Sequence, residues 1–92
     1  MVNKKKWKLL FTKTAMKDAK KILSPNLQKQ TDKVLDVLEN DPHQNPPPFE
    51  KLVGDLSGCY SRRINIQHRM VYKIEPEDHV VRILRMFSHY GN

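Results

Sequence analysis

Apolar and polar positions alternate near the start of the chain. Trp7, Leu9 and Phe11 occupy every second position of a short segment that has polar residues on both sides. This two-residue period is typical of a β-strand that buries one face. We therefore predict a first strand over residues 7–12.

The next segment changes from strand spacing to helical spacing. Ala15, Ala19 and Ile22 fall on one face of a helix, with Met16 and Leu23 beside them. Four lysines lie on the remaining, solvated side, namely Lys13, Lys17, Lys20 and Lys21. The pattern predicts a basic amphipathic helix that turns its apolar face toward a core.

A second helix has recognisable start and stop signals. Ser24 can cap free backbone amides, and Pro25 suits a first helical turn because it has no N–H that needs a partner. Apolar and β-branched residues continue at helical spacing, namely Leu27, Thr31, Val34, Leu35 and Leu38. The string Asn-Asp-Pro at 40–42 predicts the end of this helix.

Prolines dominate the middle of the chain. Pro42 and the run from Pro46 to Pro48 remove backbone donors and fix backbone angles, which excludes an interior strand or helix here. The segment is predicted to be an extended, stiff connector. Phe49 and Glu50 follow it immediately.

Three apolar segments in the second half of the chain predict three strands. Residues 59–64, 69–74 and 79–87 are rich in β-branched and aromatic side chains, and short polar segments at 65–68 and 75–78 connect them. Connections this short predict an antiparallel meander. Because the last segment is nearly all apolar, we expect it to form the central strand.

The predicted order of elements is therefore β-α-α-β-β-β. It indicates an α+β fold in which two N-terminal helices pack on one face of a small, mainly antiparallel sheet. With 92 residues, the chain is too short to bury two separate cores. We expect a single domain over 1–92.

The chain carries a strong positive charge. Seventeen Lys and Arg against ten Asp and Glu give a formal net charge of +7, and such a field attracts polyanions. Nucleic acid, an anionic membrane surface and an acidic protein all qualify, and charge alone does not choose among them. A purely solubilising surface also stays open at this point.

Cysteine content and segment lengths bear on location. Cys59 is the only cysteine, so no disulfide can form within the chain, which fits a reducing cytoplasm. The apolar residues that follow the lysines at 4–6 are too few for a signal-peptide core or a bilayer span. The sequence predicts a cytoplasmic protein without a membrane partner.

Several residues of the second half could carry acid-base chemistry. Cleaving RNA without a metal requires a base for the 2′ hydroxyl proton, cations for the charged phosphorane and an acid for the leaving 5′ oxygen. Glu50, the arginines of the predicted strands and His89 supply such groups. Each of them, taken singly, is more typical of an ordinary loop or strand residue. The four histidines lack the spacing of zinc ligands.

Three short motifs lie in the second half of the chain. They are Leu-Ser-Gly-Cys-Tyr-Ser-Arg-Arg-Ile at 56–64, His-Arg-Met-Val-Tyr at 68–72 and Ser-His-Tyr at 88–90. Together they resemble the YoeB/Txe toxins of the RelE-like superfamily. The most specific part of the resemblance runs from Glu50 to Tyr90, whereas the N-terminal half agrees only in pattern.

This resemblance implies a RelE-like fold and an endoribonuclease that cuts messenger RNA in the ribosomal A site. The implied reaction is a transesterification in which the 2′ oxygen attacks the phosphate without a metal or any other cofactor. It leaves a 2′,3′-cyclic phosphate and a free 5′ hydroxyl. The loss of messenger RNA inhibits translation.

The resemblance also implies roles for individual residues. The general base of the family matches Glu50, and the arginine that stabilises the transition state matches Arg69. The general acid matches His89, and the tyrosine that helps to orient the RNA matches Tyr90. These four residues are the predicted catalytic set.

A pair of adjacent arginines completes the predicted site. The Ser-Arg-Arg motif places Arg62 and Arg63 where the family has paired arginines. Both are expected to bind RNA by adding positive charge near the phosphate.

The resemblance implies a set of macromolecular partners. They are the ribosome, messenger RNA and a YefM-type antitoxin whose acidic C-terminal segment covers the toxin, which suits the net charge of +7. A homodimer stays open. Two alternative functions remain, a noncatalytic RNA-binding or ribosome-binding module and a RelE-like relative that relies on lysines and arginines for catalysis. Glu50 and His89 argue against the second alternative.

Overall fold

Five strands and two helices follow one another in the computed structural model, which describes residues 5–21 and 24–88. In chain order they are β1 (Lys8–Phe11), α1 (Lys13–Ala19), α2 (Pro25–Asn40), β2 (Phe49–Lys51), β3 (Cys59–Arg63), β4 (Arg69–Glu75) and β5 (Val80–Ser88). Single turns of 3-10 helix at Gly54–Leu56 and Pro76–Asp78 precede β3 and β5. The predicted helices and strands are present, and β2 is an addition to them.

Hydroxyl groups fix the positions at which both helices begin. Thr12 accepts a hydrogen bond from the N–H of Ala15 at 3.1 Å, and Ser24 accepts one from the N–H of Leu27 at 3.1 Å. Each hydroxyl satisfies an amide that the first turn of a helix leaves unpaired. Pro25 occupies the first turn of α2, which confirms the predicted start signal.

The strands form one sheet in the order β1-β5-β4-β3-β2. β1 lies parallel to β5, and all other neighbours are antiparallel. These pairings confirm the predicted α+β class and the meander of β3, β4 and β5. The last strand is interior, as its apolar sequence indicates, but β4 rather than β5 occupies the middle. The reason is that β1 adds to the outer side of β5 while β2 extends the sheet beyond β3.

β2 is the strand that the sequence did not predict. Its three residues pair with β3 on one side only, with Phe49 opposite Arg62 and Glu50 opposite Ser61. An edge strand needs a ladder on one side only, so a short segment directly after prolines can join a sheet there. The predicted connector therefore ends in a strand that brings Glu50 into the sheet.

Both helices cover one face of the sheet. Ala15 of α1 and Leu38 of α2 are fully buried in one cluster with Tyr72 and Ile83 of the sheet. The rest of this core consists of Val34, Ile64, Met70, Val81 and Met86. Two positions predicted for the apolar side of α1 lie outside the described residues, namely Ile22 and Leu23. Because successive strand residues point to opposite faces, the positions between the core residues face away from the helices.

An ion pair ties α1 to β5. The carboxylate of Asp18, a residue that is 2% exposed, accepts hydrogen bonds from Nε of Arg85 at 2.9 Å, from Nη2 of Arg85 at 3.3 Å and from the N–H of Met86 at 3.1 Å. These bonds to a buried carboxylate hold the helix on the strand. The prediction for α1 considered only its lysines and apolar residues. Asp18 stands three residues after Ala15 and so shares the apolar side of α1.

Cys59 begins β3 as a buried free thiol, where a cysteine behaves as a small apolar residue. Gly58 directly before it has a φ of 93°, a backbone conformation that favours glycine.

Within residues 5–21 and 24–88, none of the helices has the length and apolar content needed to span a bilayer.

Candidate functional site

Glu50 and Arg69 form an ion pair on the sheet face opposite the helices. Nη2 of Arg69 lies 2.9 Å from Oε1 of Glu50. The side chain of Glu50 is 67% exposed, whereas that of Arg69 is 16% exposed. The carboxylate and the guanidinium that the sequence singled out are therefore in direct contact, and the carboxylate is open to solvent.

The pairing of three strands produces this contact. Glu50 lies opposite Ser61, and Ser61 lies opposite Val71. Arg69 stands two residues before Val71 and therefore shares its face of the sheet. The hydroxyl of Ser61, on the strand between the two charged residues, accepts a hydrogen bond from Nε of Arg69 at 3.1 Å. Arg69 is thus held by one bond to β3 and one to β2.

A pocket of about 570 Å³ opens beside the ion pair. Three charged side chains line it, namely Glu50, Arg63 and Arg69, and apolar walls come from Pro47, Pro48 and Ile66. Pockets that bind small molecules span roughly 300–1,000 Å³. A nucleotide is therefore compatible with the size of this pocket.

Arg63 supplies a second cation at the pocket. It lies opposite Arg69 in the register of β3 and β4, and it is exposed. Directly paired residues of antiparallel strands present their side chains on one face, and like charges in such positions repel each other. The carboxylate of Glu50 offsets that repulsion in the free protein. A bound phosphate would do the same.

The last strand ends beside the same site. Ser88, the final residue of β5, lies opposite Arg69 in the register. His89 and Tyr90, predicted as the general acid and the residue that orients the RNA, lie outside the described residues. Among the predicted site residues that the structure describes, Glu50 lies together with two arginines, Arg63 and Arg69.

Arg62 does not share this face of the sheet. The sequence predicted that it binds RNA beside Arg63, but it is only 1% exposed and lies opposite the core residue Met70. Consecutive strand residues point to opposite faces, so two adjacent arginines cannot both line the pocket. Arg62 offers no surface to a phosphate, and this part of the prediction was wrong.

Two contributors to the site were missing from the sequence prediction. Ser61 belongs to the Ser-Arg-Arg motif, and its position two residues before Arg63 was the signal that places both on one strand face. The second contributor is the proline run, which the sequence predicts only as a connector. Their place in the wall of the pocket depends on how the connector folds back, which no local sequence signal indicates.

A carboxylate in contact with a guanidinium suits acid-base chemistry at a phosphate. Because the Glu50 carboxylate is 67% exposed, water can solvate it when an incoming phosphate takes its place at Arg69. The carboxylate is then free to accept a proton, and the guanidinium can stabilise charge on the phosphate. Within residues 5–21 and 24–88, no three His, Cys, Asp or Glu side chains are grouped so that they could hold a metal ion.

The sequence profile of one protein family matches most of the chain. The family is described as the YoeB-like toxin of bacterial type II toxin-antitoxin system, and the match covers residues 11–90. The chain belongs to this family. It is a YoeB-type toxin of a toxin-antitoxin system, which confirms the family predicted from the sequence motifs.

Individual relatives agree with the family assignment. The toxin YoeB of Streptomyces coelicolor is 39% identical over 62 residues, which are 67% of this chain and 71% of that protein. A YoeB-YefM complex from Staphylococcus aureus contains a chain that matches with a TM-score of 0.76 and 29% identity, over 91% of this chain and 98% of that chain. The YoeB dimer from the same species matches with a TM-score of 0.75 and 28% identity, over the same shares of 91% and 98%. The YoeB-like fold is therefore shared along nearly the whole chain.

Proposed function

We propose that the protein is an endoribonuclease that cleaves messenger RNA in the ribosomal A site and thereby inhibits translation. The observation that carries this proposal is the contact between Glu50 and Arg69 beside a pocket of nucleotide size. Membership of the YoeB-like toxin family supports the same activity.

The proposed reaction is a transesterification within the RNA. Glu50 takes the proton of the 2′ hydroxyl, and the 2′ oxygen attacks the phosphorus. Arg69 and Arg63 stabilise the negative charge that develops on the phosphorane. The bond from phosphorus to the 5′ oxygen breaks, and His89 gives that oxygen a proton while Tyr90 orients the RNA. The products are a 2′,3′-cyclic phosphate and a 5′ hydroxyl, and no metal or cofactor takes part.

The ribosome has a physical role in this proposal. A flexible RNA has to be oriented for in-line attack before Glu50 and Arg69 can act on it. Correct alignment of the reacting atoms is one of the largest contributions to such a reaction. Messenger RNA held in the decoding site supplies that alignment. Action on ribosomes would place the protein in the cytoplasm.

The proposed regulatory partner is a YefM-type antitoxin with an acidic C-terminal segment. A net charge of +7 attracts an acidic polypeptide as well as RNA. The relative from Staphylococcus aureus was determined as a YoeB-YefM complex.

Self-association into a homodimer is a separate proposal that rests on the dimer of the same relative. A sedimentation measurement tests it, with twice the chain mass of 10.9 kDa as the expected result.

Cleavage of messenger RNA on programmed ribosomes tests the proposed function. Glu50→Gln removes the base, and we expect the cleavage rate to fall by about 10²–10⁴-fold while ribosome binding is kept. His89→Gln tests the acid in the same assay. Glu77→Gln is the matched control, because Glu77 is an exposed acid in the turn before β5. Translation arrest by Glu50→Gln at the wild-type level, without cut RNA, would indicate a noncatalytic binding module instead.

A further inference from the structure

Arg62 is buried on the helix side of the sheet, and protein groups surround its guanidinium. The residue is 1% exposed and lies on the side of β3 that faces the helices. Taking a guanidinium out of water is costly unless its N–H groups find acceptors. The hydrogen-bond partners of Arg62 must therefore offset the free-energy cost of burying its charge.

Three of these acceptors are backbone carbonyls of the connector, residues 42–48. Nη2 of Arg62 donates to the carbonyl of Pro42 at 2.9 Å and to that of Gln44 at 2.7 Å, and Nη1 donates to the carbonyl of Pro47 at 2.5 Å. Four of the seven connector residues are prolines, which have no N–H, so the connector cannot build a regular ladder of its own. Arg62 supplies the donors that hold the connector against the sheet.

Aromatic residues complete the surroundings of the guanidinium. Nε of Arg62 donates to the hydroxyl of Tyr72 at 3.0 Å, and the guanidinium carbon lies 4.8 Å from the ring centre of Phe49, within cation–π range. Phe49 contacts Tyr60 edge-on at 5.7 Å between ring centres, and Tyr60 stacks on Tyr72 at 5.9 Å. These four residues form one closed group, here called the Arg62 cluster.

The Arg62 cluster holds the residue that precedes the candidate base. Phe49 lies opposite Arg62 in the register of β2 and β3, and Glu50 follows it on the other face. β2 has only three residues and is paired on one side, so its backbone hydrogen bonds are few. A slip by one residue would turn Glu50 toward the helices and Phe49 toward the pocket.

The same guanidinium also holds one wall of the pocket. Pro47, whose carbonyl accepts the bond from Nη1 of Arg62, lines the pocket together with Glu50. One buried side chain therefore contacts both the apolar wall and the strand that presents the carboxylate to Arg69.

We propose that Arg62 is a positioning residue for Glu50. It sets the register of β2 and the course of the connector, and it does not contact the RNA. The inference rests on the proposed function for the role of Glu50 as the base. Its structural part, the ordering of β2 by Arg62, is measurable without RNA.

Two substitutions at Arg62 separate positioning from charge. Arg62→Met removes all four hydrogen bonds, and we expect kcat for messenger RNA cleavage to fall by about 100-fold with KM within about twofold, because a small displacement of a catalytic group has an effect of this size. Arg62→Lys keeps the charge but cannot reproduce the planar fork of donors. We expect its kcat to fall nearly as far.

A second sheet arginine provides the control. Arg82→Met removes bonds to Glu75 at the far end of β4 and should leave kcat unchanged. Wild-type kcat in Arg62→Lys, together with a raised KM in Arg62→Met, would show that Arg62 acts on the RNA through its charge. That result would overturn the proposal.

Amide hydrogen exchange tests the structural part on the free protein. In Arg62→Met the amides of Phe49–Lys51 should exchange faster relative to those of β4. Tyr72→Phe deletes only one acceptor and keeps the aromatic ring, so it preserves the test if Arg62→Met does not fold, and it should change exchange in the same direction by less. Unchanged exchange in β2 overturns the proposal. If the wild-type protein cuts no messenger RNA, the proposed function is wrong. The exchange measurement still decides in that case whether Arg62 orders β2.

Discussion

The hydroxyl of Ser61 lies 3.1 Å from Nε of Arg69 and holds that side chain at the edge of the pocket. The same guanidinium reaches Glu50 through Nη2, so Arg69 of β4 is bonded to both β3 and β2. Its orientation is therefore fixed before any phosphate binds. Such pre-organisation is what a group needs if it is to stabilise a transition state without first rearranging.

Removing this hydroxyl should weaken catalysis without unfolding the protein. A hydrogen bond to a charged group contributes about 1.5–3 kcal/mol, so Ser61→Ala should lower kcat by about tenfold to 100-fold. Cleavage on programmed ribosomes measures this change. Ser57→Ala in the exposed loop before β3 is the control. An unchanged kcat in Ser61→Ala would mean that Arg69 holds its orientation without this bond.

Arg69→Lys should be far from conservative. A lysine ammonium is a compact charge and cannot bond Ser61 and a phosphate oxygen with the geometry of a guanidinium fork. We expect kcat to fall by about 10²–10³-fold, with ribosome binding kept because the charge is unchanged. Arg82→Lys, in the ion pair with Glu75, controls for the general effect of replacing an arginine by a lysine. Near-normal cleavage by Arg69→Lys would contradict a role for the fork.

The buried carboxylate of Asp18 should contribute strongly to stability. Asp18→Asn removes the charge that binds Arg85 and the N–H of Met86. The expected loss in the free energy of unfolding is about 1–3 kcal/mol, since Arg85 is about half exposed and remains hydrated. Urea denaturation measures the loss, and Asp55→Asn on the surface is the control. Equal midpoints for Asp18→Asn and the wild type would exclude this contribution.

The stability of the protein should depend on Tyr72 at alkaline pH. Burial raises the pKa of Tyr72 above its ordinary value of 10.0, more than the neighbouring Arg62 lowers it. The folded chain therefore holds the phenol proton more tightly than the unfolded chain. This contribution is fully present below pH 10 and is lost as the pH rises through the folded-state pKa.

Denaturation curves of the wild type and Tyr72→Phe test this dependence. Above pH 10 the stability of the wild type should fall more steeply than that of Tyr72→Phe, in which the titrating group is absent. An absorbance difference titration between the two proteins should place the ionisation of Tyr72 above pH 10. Parallel stability curves would show that the phenol has the same pKa in both states.

The sequence by itself determined the local structure and the family. The Ser24-Pro25 signal set the start of α2, and segments rich in β-branched and aromatic residues indicated β3, β4 and β5, because caps, turns and residue preferences act over a few neighbouring residues. The three motifs at 56–64, 68–72 and 88–90 together indicated the YoeB-like toxins. They also singled out Glu50 and Arg69 as members of one site.

Tertiary structure alone decided how distant residues meet. β2 forms where β3 offers it an edge, and the strand register then brings Glu50 within 2.9 Å of Arg69, 19 positions further along the chain. The same register turns Arg63 toward the pocket and Arg62 into the interior, although the two are neighbours in sequence. Strand register depends on contacts between residues far apart in the chain, and a shift of one residue turns every side chain of the strand to the opposite face of the sheet. A local sequence pattern therefore does not determine the register.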